Sequence, residues 1–311
     1  MRQRLLDLLA CPSCGRPLSS GSGTLGCAAG HAFPVEGGVP VLFAERPNGR
    51  GEQVRRRFDY QWRRFGRAER LFGKKRGAML ENLANARIGS TIREGFYPGR
   101  TVLDAGCGHG RYVEAFARLG AETVGLDAAD FVRDLGPDLG TRDRVHLVQG
   151  DVLRPPFREA SFDLVFCDGV LHHTGDAGAA FRALARLVRP GGYLYVWLYP
   201  REGRAFETTH RVLRAATMRL PARAVAGISF ALVPLLSVAR TYSGTRLGRA
   251  RWSECAQVVY DWLSPAHQSH HSPPEVRGWF EAEGFETIED LPVPVGMIGQ
   301  KSAASAAGGT P

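Results

Sequence analysis

The sequence predicts an α/β protein built on a doubly wound, mostly parallel sheet of seven strands, with a small cysteine-bearing module in front and a helical insert behind. Three observations carry this prediction. Residues 99–200 alternate short apolar runs with helical patterns, as strands joined by crossover helices do. A glycine-rich loop, Gly106-Cys107-Gly108-His109-Gly110, lies between the first apolar run and a helix beginning near Arg111. Cys11, Cys14, Cys27 and His31 form two close pairs near the N-terminus.

The elements follow in order. Thr101 to Asp104 is the first strand, Thr123 to Asp127 the second, Val145 to Val148 the third, Phe162 to Cys167 the fourth and Tyr193 to Leu198 the fifth. Between the fourth and fifth, Phe181, Leu184, Ala185, Leu187 and Val188 recur at helical spacing. That helix is expected to stop at Arg189-Pro190-Gly191-Gly192, where proline blocks it and glycine turns the chain back. A last helix is expected over Glu275 to Glu283, announced by Ser272-Pro273-Pro274, and Phe285 to Leu291 opens a terminal strand pair that completes seven strands.

At 311 residues the chain can hold one large α/β domain and a small appendage. With 44% hydrophobic and 23% charged residues it reads as an ordinary globular protein. The formal net charge of +9 permits an anionic partner without requiring one. Only Lys74, Lys75 and Lys301 are lysines, so the arginine excess reflects composition bias more than a binding signature. The cysteines are no disulfide framework, which fits a reducing, cytoplasmic setting. Met1 to Ala10 lacks an apolar core with a small-residue cleavage site, so no signal peptide is expected. Ala224 to Ala239 is uncharged, but it is shorter than the ~20 residues of a spanning helix and contains Pro234. No transmembrane segment is expected. A buried or lid helix is the simple reading, and peripheral contact with lipid or an apolar substrate the other.

The expected organisation has six parts: a cysteine module over 1–45, a basic and aromatic helical linker forming a cofactor lid over 46–98, the sheet core over 99–200, an apolar helical insert acting as substrate lid over 201–265, a helix and strand pair over 266–301, and a disordered tail over 302–311. There is no internal repeat.

In the glycine loop the backbone can turn tightly and approach a ligand, with a helix N-terminus behind it. Asp127 falls where a doubly wound fold places a carboxylate for ribose hydroxyls. A dinucleotide site spaces its glycines G-x-G-x-x-G, but here Gly110 comes one residue early and Arg111 takes the late place. Asp104 precedes the loop and suits a ligand with an amino group and a sulfonium better than one with a pyrophosphate.

Val102-Leu103-Asp104-Ala105-Gly106-Cys107-Gly108-His109-Gly110 resembles motif I of class I S-adenosylmethionine (SAM)-dependent methyltransferases. Val124 to Asp127, Gln149-Gly150-Asp151-Val152, Phe162 to Phe166 with Val170-Leu171-His172-His173, and Leu187 to Gly192 resemble their later motifs in order and spacing. The likeness is to the ubiquinone/menaquinone-biosynthesis type and spans residues 99–200. It implies a Rossmann-like fold in which Asp104, Gly106 and Gly108 line the methionine end of SAM. Asp127 would hold the ribose and Asp151 and Val152 the adenine, with Asp168 beside the donor.

The pairs Cys11-Pro12-Ser13-Cys14 and Cys27-Ala28-Ala29-Gly30-His31 suit tetrahedral zinc. A module this small buries little core, so a structural metal would account for its folding. The other reading is a ribbon that has lost its metal and kept its fold. With Phe33 to Leu42, the module resembles the small zinc-ribbon proteins that activate several methyltransferases, and the N-terminal module of bacterial 23S rRNA guanine-N1 methyltransferases.

Asp168, His172 and His173 are the candidates for proton handling, against capping and packing roles. His267-Gln268-Ser269-His270-His271 is a further histidine cluster, read as a metal or acid/base site or as a loop capping the next helix. Arg55 to Arg57, Arg63, Arg64, Arg67, Arg70, Lys74, Lys75 and Arg76 are interleaved with Phe58, Tyr60, Trp62 and Phe65. That pattern fits a helix packing its aromatic face with arginines in water, or an RNA-stacking surface. Two acceptors follow: a small, apolar or lipid-like molecule, or an rRNA or tRNA base. A non-catalytic SAM-fold partner is the third reading.

Overall fold

The computed structural model of the chain describes residues 3–66, 88, 92, 95–239 and 252–303. They divide into two compact units, the first drawn from residues 1–46, 74–201 and 269–311 and the second from 47–73 and 202–268.

The first unit is organised by one sheet. Its strands are β1 (Leu18–Ser20), β2 (Thr24–Cys27), β3 (Ala32–Glu36), β4 (Val39–Leu42), β5 (Thr101–Ala105), β6 (Glu122–Asp127), β7 (Val145–Gly150), β8 (Phe162–Asp168), β9 (Val188–Trp197), β10 (Phe285–Asp290) and β11 (Gly296–Lys301). They lie in the order β1-β2-β3-β4-β7-β6-β5-β8-β9-β11-β10. The strands β7, β6, β5, β8 and β9 are parallel, and β11 and β10 close that edge antiparallel. Every residue of β5 and β7 is buried, because helices cover both faces of such a sheet, and the strands read as continuous apolar runs for that reason. Helices α3 (Arg111–Arg118), α4 (Phe131–Asp134), α5 (Ala177–Leu187) and α9 (Pro273–Ala282) belong to this unit, with the short α1 (Gln3–Leu8) at its start. Strand order reverses between β5 and β8, which is where an open α/β sheet leaves a crevice at the carboxyl ends of its strands.

The expected seven-stranded core is present, and the N-terminal module extends it. All four residues of β4 are buried, and β4 pairs parallel to β7 through Val41 with Gln149 and Leu42 with Gly150. The Ala10 N–H donates to the Pro156 carbonyl at 3.0 Å, Leu9 bridges to Phe157, and Arg133 pairs with Glu36. Leu25, Phe33 and Leu42 share one apolar cluster with Val124, Leu126 and Val148. The apolar run Val39 to Leu42 is therefore a sheet strand that caps the β7 edge.

Two boundaries differ from expectation. Helix α5 ends at Leu187 and β9 begins at Val188, so Arg189 to Gly192 lie inside a strand. The register with β8 jumps from Phe162–Val188 to Leu164–Tyr193, so these four residues stand opposite Asp163 alone as an irregularity in the ladder. Asp163 holds it, taking Arg189 at 3.0 Å and Arg100 at 3.2 Å. Helix α9 starts at Pro273, two residues earlier than expected, because Glu275 reaches back to the Ser272 N–H at 3.4 Å and forms a capping box.

The second unit is helical: α2 (Gly49–Gln61) with a π turn over Trp62–Gly66, then α6 (Arg204–Thr217), α7 (Ala222–Ala239) and α8 (Trp252–Leu263). The basic stretch and the apolar insert, expected as separate parts, pack together. Phe65 stacks on Phe230 with centroids 5.8 Å apart and lies 5.9 Å from Tyr260. Arg57 is buried, unlike its neighbours, and donates to the Leu220 carbonyl at 2.5 Å. Arg67, Arg70, Lys74, Lys75 and Arg76 lie outside the described residues. No described helix is long and apolar enough to cross a membrane.

The shared cluster makes a prediction. Leu42→Ala should destabilise the first unit by about 2–5 kcal/mol, as deletions of fully buried leucine do, and should shift module and sheet core together. Denaturant unfolding followed by fluorescence checks this, with one displaced midpoint for the unit as the expected result.

Candidate active site and metal cluster

The crevice between β5 and β8 gathers most of the predicted residues. Gly106 and Gly110 have φ of +80°, a left-handed conformation open to glycine, and both are tightly packed. A Cβ at Gly106 would overlap the Val170 side chain, and one at Gly110 would overlap Leu139. The Gly106 and Cys107 N–H groups both donate to the Leu126 carbonyl, at 2.7 and 3.0 Å, which ties the loop to β6. Asp127 then accepts from the Gly108 N–H and the Ala129 N–H, each at 2.8 Å. The aspartate after the second strand is thus oriented by the loop after the first.

Asp104 is 2% exposed, and its Oδ2 has no hydrogen-bond partner among the described residues. Burial pushes its pKa up to about 8, with Asp168 and Asp127 adding to the rise and Arg111 opposing it. The Val113 N–H is the one backbone donor acting on this carboxyl, and a buried oxygen left without a donor is costly unless a ligand supplies one. Asp151 accepts from the Leu153 N–H at 2.9 Å, and burial raises its pKa too. Val152 is buried beside it.

Asp168, at the end of β8, is held by three donors: the Tyr195 hydroxyl at 2.9 Å, the Tyr112 hydroxyl at 3.0 Å and Arg111 at 3.4 Å. The sequence offered no signal for these tyrosines, which lie on β9 and α3 amid other core aromatics. His172 and His173 occupy a short 3₁₀ turn, Leu171–His173. The His172 ring is fully buried, stacks on Tyr199 at 3.9 Å, and has no hydrogen-bond partner on either nitrogen among the described residues. Burial lowers its pKa well below the usual value, so the ring is uncharged near neutral pH.

The structure joins the downstream histidines to this turn. The Ser269 N–H donates to the His172 carbonyl at 2.9 Å, the His271 N–H donates to the Tyr199 carbonyl at 2.9 Å, and His270 stacks near Tyr199 at 6.2 Å. Sequence spacing could not show this, because roughly a hundred residues separate the two histidine groups.

In the N-terminal module, one ligand atom each from Cys11, Cys14, Cys27 and His31 lies within 4.8 Å of the others. Cys14 Sγ is 3.7 Å from Cys27 Sγ, and His31 Nδ1 is 3.6 Å from Cys11 Sγ and 3.3 Å from Cys27 Sγ. Tetrahedral zinc with bonds of about 2.3 Å to sulfur and about 2.0 Å to nitrogen sets ligand atoms roughly 3.5–3.8 Å apart, so the cluster fits the ion.

Comparison with known proteins agrees with this division. Residues 103–196 match the family model described as a methyltransferase domain, and residues 2–38 match the one described as Trm112p-like protein. Two separate stretches of the chain are thus similar to a methyltransferase domain and to a Trm112-like protein. Ubiquinone biosynthesis O-methyltransferase of Paracidovorax citrulli is 36% identical over 112 residues, 35% of this chain and 47% of that protein. The enzyme of the same name from Xanthomonas campestris pv. campestris is 37% identical over 120 residues, again 35% and 47%. The chain spans about half the length of the curated relatives it matches. Among solved structures, magnesium protoporphyrin IX methyltransferase from Synechocystis PCC 6803 with bound SAH has a TM-score of 0.46 and 17% identity, covering 80% of this chain and 98% of that one.

Asp104 gives a signed test. Its folded pKa of about 8 lies above the unfolded 3.8, so the folded state holds a proton that the unfolded state releases, and stability falls as pH rises between the two values. Asp104→Asn should therefore stabilise the ligand-free protein by roughly 2–4 kcal/mol at pH 8, with the gain shrinking toward zero by about pH 4. Thermal unfolding across that range checks it, and a pH-independent difference would contradict it.

Proposed function

We propose that this protein is a SAM-dependent methyltransferase that methylates a hydroxyl on a small, apolar or lipid-like acceptor. The observation that carries the reading is the buried, unpartnered Oδ2 of Asp104 beside a glycine loop at the sheet's crevice. A ligand with an ammonium and a sulfonium supplies the donor and charge that this oxygen lacks. When bound, SAM provides an electrophilic methyl group. Around it, Asp104, Gly106 and Gly108 would hold the amino acid end, Asp127 the ribose, and Asp151 and Val152 the adenine. Asp168, anchored by Tyr112, Tyr195 and Arg111, would fix the wall on the β8 side, and proton handling would fall to the end of the site that carries His172 and His173. Methyl transfer asks the chain mainly to align donor and acceptor.

The names of the relatives support oxygen as the acceptor atom and a small molecule as its carrier. The described part of the basic stretch adds no support to the RNA-base reading. Arg55 and Arg56 pair with Glu52, Arg63 pairs with Asp59, and Arg57 is buried. Zinc, held by Cys11, Cys14, Cys27 and His31, is proposed as structural, since four protein ligands leave no open position.

Calorimetry with SAM tests the cofactor assignment. Asp127→Ala should weaken binding by about 1.5–3 kcal/mol, because it removes hydrogen bonds to a charged group. Wild-type affinity in that variant would refute the assignment. Metal analysis of protein purified without chelator should give about one zinc per chain, and Cys14→Ser should lose it. A metal-free wild-type module with its fold intact would show the zinc proposal wrong.

A further inference from the structure

Ser269, His271 and Glu275 form a hydrogen-bonded chain that the reading above does not use. Ser269 Oγ is 2.7 Å from His271 Nε2, and His271 Nδ1 is 2.9 Å from Glu275 Oε1. Glu275 also pairs with Arg201 at 3.0 Å. With Nδ1–H donating to the Glu275 carboxylate, Nε2 is the acceptor for the Ser269 hydroxyl at 2.7 Å, nearer than that hydroxyl's other acceptor, the His172 carbonyl at 3.5 Å. His271 is buried, whereas Ser269 is only half-buried, so the serine is the outer member.

Placement ties the chain to the candidate site. Ser269 is held by the His172 carbonyl through its N–H at 2.9 Å, and His271 by the Tyr199 carbonyl just beyond β9. His172 belongs to the turn entered through Val170, whose side chain fills the space above Gly106. The chain thus stands at the carboxyl ends of β8 and β9, on the same side of the sheet as the glycine loop.

We propose that Ser269, His271 and Glu275 form the proton relay that deprotonates the acceptor hydroxyl, an inference that rests on the methyltransferase reading. As the acceptor oxygen bonds to the methyl carbon and the carbon–sulfonium bond breaks, the acceptor proton passes to Ser269 Oγ. The Ser269 proton passes to His271 Nε2. The imidazolium so formed is paired with Glu275, and the sulfur leaves neutral. Ser269 would touch the acceptor and is the catalytic member; His271 and Glu275 act through it. The titratable and charged groups facing His271 are Glu275 with Arg201 behind it, His172, His173 and His270 around Tyr199, and the Ser269 hydroxyl. Capping of α9 explains Glu275 and Ser272 but not a serine hydroxyl aimed at Nε2.

Imidazole ¹⁵N–¹H spectroscopy of the full chain tests the relay first. His271 is expected to carry its proton on Nδ1, and Glu275→Gln, which preserves the cap, should shift the Nδ1–H resonance. A proton on Nε2 overturns the proposal, because that nitrogen could not then receive one. This readout decides whether or not the probe acceptor is turned over. With SAM and catechol as the probe, Ser269→Ala and His271→Asn should each lower kcat about 10²-fold and remove the ascending limb of the pH–rate profile, with SAM affinity unchanged. Wild-type rates in either variant overturn the relay and leave the methyltransferase reading standing. Failure of the wild-type chain to bind SAM defeats that reading instead.

Discussion

The position of β5 is the constraint on which the first unit depends. It lies between β6 and β8, buried on both faces, and the strand order reverses beside it. A parallel strand in that position must send its chain out at the carboxyl end through a very short turn. Gly106 makes this turn with φ of +80°, against Val170 on one side and with its N–H on the Leu126 carbonyl on the other. Packing on both flanks leaves the Asp104 carboxyl facing inward without water, and its raised pKa follows from that geometry. The same closeness lets Gly108 reach Asp127. The two aspartates belong to neighbouring strands and are coupled through three residues of loop.

The N-terminal module adds a second constraint. An open parallel sheet exposes the edge of β7, and an exposed edge invites pairing with other chains. Here β4 covers it, and Leu42 enters the same apolar cluster as β6 and β7. The cysteine–histidine cluster draws Cys11 and Cys14 from the turn before β1, Cys27 from the end of β2 and His31 from the turn before β3, so it ties together the chain segments that open the module. Asp151 follows β7 directly, so the strand that receives the module also carries a residue proposed for the adenine end.

Much of this was legible in the sequence, for reasons that differ by residue. The core strands were legible because burial on both faces writes continuous Val, Leu and Phe runs. The clustering of Cys11, Cys14, Cys27 and His31 was legible because pair spacing along the chain survives folding. The β9 irregularity was not, because Pro190 and Gly191 carry the same local signal whether they end a helix or distort a strand; Asp163, more than twenty residues away, decides it. Pairing of β4 with β7 was hidden because parallel partners have no local turn to betray them. The donors to Asp168 and the joining of Ser269 to His172 are tertiary facts with no periodicity at all. The helical unit shows the same limit: Phe65 and Phe230 each read as apolar, but their stacking required the fold.

The central claim is that the buried Asp104 carboxyl is completed by a cationic cofactor. SAM binding measured by calorimetry at pH 7 in two buffers of different ionisation enthalpy tests it most directly. A carboxyl held protonated by burial must ionise when it meets the ammonium group, so binding should release close to one proton per chain, and Asp104→Asn should abolish that release. Binding without proton release in the wild-type protein, or no binding at all, would contradict the account.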